Sequence, residues 1–161
     1  MLSKVCAGGL RASPLSAQEV KGEADAQASP KLRIPTDNQL ATLIVSTLIA
    51  LNQANFTGNY SVIRELGSPK FQGANSSGRL SEIFADLRNR GFDFSPIILL
   101  QPKLLRKPAI DNRGMLRLTG FFPTAPERLN FDLLYEFVGG RWLLFGIAAN
   151  TTLVQTGAPA N

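Results

Sequence analysis

Apolar residues alternate with polar ones most clearly between Asn130 and Asn150, on both sides of the Gly139–Gly140 pair. Period-two alternation marks β-strands and a two-residue Gly-Gly link is a hairpin turn, so "NFDLLYEFVGGRWLLFGIAAN" reads as two antiparallel strands. Folding about that turn sets Val138 opposite Arg141, Phe137 opposite Trp142 and Tyr135 opposite Leu144. The same register carries Leu133 to Gly146 and Phe131 to Ala148. One face of the ribbon is then Phe131, Leu133, Tyr135, Phe137, Trp142 and Leu144. The other is Leu134, Leu143, Phe145 and Ile147, rimmed by Asn130, Asp132, Glu136 and Arg141.

Upstream the period is helical. In "PTDNQLATLIVSTLIALNQANFTGNY", Thr36 with Gln39 three residues on makes a capping box, and Leu40, Leu43, Ile44, Thr47, Leu48 and Leu51 follow at helical spacing. Gly58 ends this helix. Its unbroken apolar stretch is shorter than the roughly 20 residues a membrane span needs, so we expect a buried helix and no membrane span. "NYSVIRELGSP" predicts a short second helix closed by Gly67 and Pro69. "NSSGRLSEIFADLRNRGF" predicts a third, with Leu80, Ile83, Phe84 and Leu87 facing inward and Gly91 at its C-terminal end.

From Ser95 the period shortens. "SPIILLQPKLLRKPAI" predicts an edge strand interrupted at Pro102 and Pro108, "DNRG" a turn, and "MLRLTGFF" the next strand before the hairpin. The fold class is therefore α+β: three N-terminal helices packed on a strongly curved antiparallel sheet of four or more strands. Gly120, Gly146 and the two prolines are what such bending requires. Residues 1–35 read as a flexible segment and linker, 36–150 as the domain, and 151–161 as a patternless tail. The first residues have two readings, a degenerate signal peptide broken by Arg11 or a plain flexible tail, so a periplasmic or secreted location stands level with a cytoplasmic one.

Burying a Leu or Phe side chain is worth ~1.5–3 kcal/mol, so neither face of the hairpin should stay wet. Helices cover only one face, which we expect to be the aromatic one. That leaves Leu134, Leu143, Phe145 and Ile147 as a subunit interface with an apolar centre and a polar rim, unless the N-terminal linker lies across them.

Composition removes chemistries rather than adding them. The 161 residues contain no His and a single Cys, Cys6, which excludes His-based triads, His metal sites and intrachain disulfides. No carboxylate cluster has metal-ligand spacing, and no cofactor is implied. The net charge of +5 is spread along the chain, dense only in "PKLLRKP" at 102–108. We read that run as a solvated strand edge and expect no nucleic-acid binding; the alternative requires Lys103, Arg106, Lys107, Arg113 and Arg117 to share one exposed face.

From about Pro35 to Asn150, the chain resembles the nuclear transport factor 2-like superfamily, whose cystatin-like fold is an α+β cone. The resemblance rests on a long first helix, "ALNQANFTGNYSVIREL" running into a short second one, and the closing "GGRWLLFGI". It implies a homodimer through the sheet and, between helices and sheet, a pocket for a small apolar ligand, with Tyr60, Phe84, Phe131, Leu133, Tyr135 and Trp142 as lining candidates. Enzymes of that superfamily use His, or a carboxylate base facing a Tyr. Here the acids Asp132 and Glu136 fall on the face opposite Tyr135, and Asp93 reads as a turn residue. We therefore expect a non-catalytic dimer that holds a small apolar ligand or a protein partner, with no assigned catalytic residue; the alternative is an isomerase or lyase acting on an apolar cyclic substrate with a carboxylate base.

Overall fold

A computed structural model describes residues 32–154. Five helices come first: α1 (Asp37–Thr57), α2 (Ser61–Glu65), α3 (Pro69–Ala74), α4 (Ser77–Ile83) and α5 (Ala85–Asn89). A 3-10 turn over Ser95–Leu99 leads into β1 (Lys103–Leu104), β2 (Ala109–Ile110), β3 (Met115–Phe122), β4 (Glu127–Val138) and β5 (Arg141–Leu153). The sheet is antiparallel in the order β1-β3-β4-β5, with β2 also on the free side of β3. The α+β class with helices first is thus as expected.

The start of α1 is the one its sequence specifies. Thr36 accepts from the Gln39 amide while Gln39 Oε1 accepts from the Thr36 amide at 2.9 Å, and Gly58 closes the helix at φ 71°. By length and composition α1 meets the requirement for crossing a membrane. Here Leu40, Ile44, Leu48 and Leu51 lie in the core. The third expected helix is two, broken at Phe84, whose φ of −100° and ψ of 15° leave the helical region. Leu80, Phe84 and Leu87 face inward as expected, but Ile83 is 52% exposed.

α3 is a helix the sequence reading missed. Ser68 caps it, accepting from the Phe71 amide, and Pro69 opens it. The preceding residues are tied to the edge of β5, where the Ser68 amide donates to the Leu144 carbonyl at 2.7 Å. The expected strand from Ser95 is also corrected. Ser95–Leu99 is 3-10, burying Ile97 and leaving Leu99 89% exposed, and only two short pieces of the segment pair with β3.

The sheet is not strongly curled. β3 and β4 pair without a slip from Met115↔Glu136 to Phe122↔Leu129. Gly120 serves close approach instead of bending: a Cβ there would lie 2.2 Å from the Lys103 carbonyl oxygen and 2.9 Å from the Phe131 ring. Between β4 and β5 the expected register holds from Val138↔Arg141 to Tyr135↔Leu144. A bulge then inserts Phe145, so Leu134 pairs with Gly146, Leu133 with Ile147 and Phe131 with Ala149. The expected pairs Leu133–Gly146 and Phe131–Ala148 are each off by one residue. β5 also continues through Thr151–Leu153, three residues into the segment read as a tail.

Candidate functional site

The helices cover the aromatic face. Tyr60, Phe84, Phe131, Leu133 and Tyr135 are all buried in one core with Phe71, Phe94, Phe122 and Leu144. Tyr135 crosses from sheet to helix: its hydroxyl lies 2.9 Å from Thr47 Oγ1 and donates to the Leu43 carbonyl at 3.0 Å. Burial pushes its phenol well above the usual range, and the Thr47 hydrogen bond offsets this only in part. The Tyr60 hydroxyl donates to Asn55 Oδ1 at 2.7 Å and accepts from Arg88 Nη1 at 3.1 Å. Among the described residues, the only buried side-chain polar atom without a partner is Asn55 Nδ2. These five lining candidates are therefore all part of one buried core. Trp142 packs at the margin of that core, and with Phe137, Ile34, Pro35, Leu43 and Arg141 it borders a groove of about 660 Å³ between the start of α1 and the hairpin tip.

The three acids considered for an isomerase-type site are all held ionised. Asp93 accepts from the Ser95 hydroxyl and amide and from Asn52, which together lower its pKa. Asp132 is held low by its hydrogen bond to Arg117, with Thr119 adding a second, and Glu136 by Lys70 at 2.7 Å. None has the raised pKa a buried general base needs. Asp132 and Glu136 also project on the side of β4 away from Tyr135, as the alternation of the strand requires.

The proposed interface residues divide. Leu134, Leu143 and Phe145 are half-buried and lie outside the helix-side core. Ile147 does not belong with them. The bulge turns it to the helix side opposite Leu133, where it packs against the core with Trp142 and Ala149. The remaining apolar patch is flanked by the ion pairs Arg117–Asp132 and Lys70–Glu136.

Charge on this outer face is less dispersed than the sequence suggests. The chain between β1 and β3 hooks over the sheet beside Met115, Arg117, Thr119 and Leu134, and encloses a cleft of about 330 Å³. Arg106, Lys107, Arg113 and Arg117 all line it, four of the five cations whose sharing of one face was the condition for nucleic-acid binding; Lys103 is not among the lining residues. The density of "PKLLRKP" was the available signal, and the fold adds Arg113 and Arg117 to it. Among the described residues no group of three or more His, Cys, Asp or Glu side chains is placed to hold a metal ion. Comparison with known proteins finds no matching family model, no matching curated protein and no matching solved structure.

Proposed function

We propose that this chain is a non-catalytic accessory protein of the nuclear transport factor 2-like kind, working as a homodimer joined through the outer face of its sheet. The observation that carries this reading is the patch of Leu134, Leu143 and Phe145, half-buried and unassociated with the core on the other side. An apolar centre between ion pairs is the composition of a subunit interface. A second copy related by a two-fold axis would oppose the same patch to itself. The groove beside Trp142 offers a small apolar ligand the one lining residue from the expected set that is only half-buried, at the margin of the core. The lowered pKa values of Asp93, Asp132 and Glu136 favour this reading over an isomerase or lyase.

Sedimentation velocity at micromolar concentration tests the dimer. The wild-type chain should sediment as a dimer and Phe145→Asp as a folded monomer, because a carboxylate at the centre of the contact would lose its hydration without gaining a partner. A wild-type monomer throughout the micromolar range refutes the reading.

A further inference from the structure

The cleft beneath the hook is built from two kinds of surface. Ala109, Met115 and Leu134 supply apolar walls, while Arg106, Lys107, Arg113 and Arg117 bring four positive charges against one lining carboxylate, Asp111. Arg113 Nε and Nη2 are engaged by Asp111, and Arg117 uses the same two atoms on Asp132. Each guanidinium keeps Nη1 outside those bonds, and Arg106 and Lys107 form no ion pair among the described residues. Arg106 is near enough to Asp132 to help hold that carboxylate ionised.

The backbone on either side of these cations is held at two points. Asp111 anchors the turn, accepting from the amides of Arg113 and Met115 at 2.9 Å each. The Leu105 amide donates to the Thr119 carbonyl at 2.9 Å, which fixes the hook immediately before Arg106. Backbone held in this way need not be ordered when an anion binds. The volume, about 330 Å³, lies at the small end of ligand pockets.

We propose that this cleft binds a small organic anion with a dianionic head, of the phosphate monoester class, its head held by Arg106 and Lys107 and its organic body against Met115 and Leu134. Guanidinium groups suit phosphate because their donors are planar and spread, and two cations outside any ion pair suit a double charge. The site is separate from the groove beside Trp142. It meets the proposed dimer patch at Leu134 and at the flanking Arg117, and its other lining residues lie outside that patch.

Titration of the isotopically labelled full chain with phenyl phosphate, followed by amide NMR, tests the proposal. Saturable shifts are expected at Arg106, Lys107, Arg113 and the first half of β3, with phenol giving none and inorganic phosphate binding more weakly. An exposed charge pair is worth between about 1.5-fold and fivefold in affinity, so R106Q/K107Q should weaken phenyl phosphate about tenfold. D111N keeps the acceptor that anchors the turn but removes the competing charge, and should tighten binding about twofold to threefold. No saturation below about 10 mM overturns the proposal. So does unchanged affinity in R106Q/K107Q. Binding of an oligothymidylate with steep salt dependence, and none of phenyl phosphate, would assign the cations to nucleic acid and overturn it as well.

Discussion

Tyr135→Phe removes one oxygen from the junction of helix and sheet, and its effect distinguishes a filled core from a wet cavity. The ring is 1% exposed and its hydroxyl is the link between Thr47 Oγ1 and the Leu43 carbonyl. A buried hydroxyl of this kind contributes about 1 ± 0.5 kcal/mol net, and its loss strands Thr47, which is 6% exposed. Thr47 has a partial remedy. Thr42 and Thr57 on the same helix each donate to the carbonyl four residues back, at 2.8 Å, and Thr47 can turn to Leu43 in the same way. The expected cost is therefore about 1 kcal/mol for Tyr135→Phe, and somewhat less for Thr47→Val, which leaves Tyr135 its bond to Leu43.

Because both substitutions break the same hydrogen bond, the double variant should be less destabilised than the sum by about 0.5 kcal/mol or more. Urea unfolding of the four proteins measures all three terms, through midpoints at constant slope. If Tyr135 faced water, solvent would replace both partners and the substitution would cost almost nothing. A loss below about 0.3 kcal/mol for Tyr135→Phe, with no coupling to Thr47, refutes a packed interior at this junction.

Tyr135 also predicts alkaline behaviour. Its folded pKa is raised, so its contribution is complete below the free-tyrosine value near 10 and is lost as pH rises above it; unfolding midpoints should fall there in wild type and fall less in Tyr135→Phe. On the acid side the signs reverse. Asp93, Asp132 and Glu136 are lowered, so their stabilisation is present above the ordinary carboxylate range and declines as pH drops below about 4, a decline that Asp132→Asn should reduce in denaturation curves. Gly120→Ala should destabilise by about 1–3 kcal/mol or more in urea unfolding, because its Cβ meets the backbone oxygen of Lys103, which has no rotamer by which to retreat. A cost near zero would mean that β1 does not lie against Gly120.

What the sequence made legible was local. Thr36 and Gln39 define the start of α1 by themselves, Gly58 and Gly91 both have the positive φ expected at helix ends, and Gly139–Gly140 make the turn. The failures have physical causes. An apolar run such as "SPIILL" has no period to separate a strand from a 3-10 turn, and the fold decides by burying Phe94 and Ile97. α3 is too short for periodicity to register, and it forms because Ser68 is pinned to the β5 edge and Phe71 is buried. For the bulge a signal did exist. A lone Gly inside a strand is a frequent companion of one, and Gly146 follows Phe145 directly. Reading Gly146 as a bend kept the alternation unbroken and put Ile147 on the wrong face.

That single inserted residue redistributes side chains between the two faces. An unbroken register gives the outer face four large apolar groups with nothing over them. With Phe145 inserted, Ile147 joins the core, and the outer face keeps Leu134, Leu143 and Phe145. Part of what is left is covered by the chain itself, since the hook encloses Met115 and flanks Leu134. The charges follow the same logic. Arg117 and Thr119 share a face with Leu134 because the β3–β4 ladder is unslipped, while the turn at Asp111 returns Arg113 beside them and the hook adds Arg106 and Lys107. Separations of a dozen residues in sequence thus become one cleft, and pairing rather than composition creates it. The outer face is consequently two surfaces that meet at Leu134, one cationic and one apolar, and each calls for a different occupant.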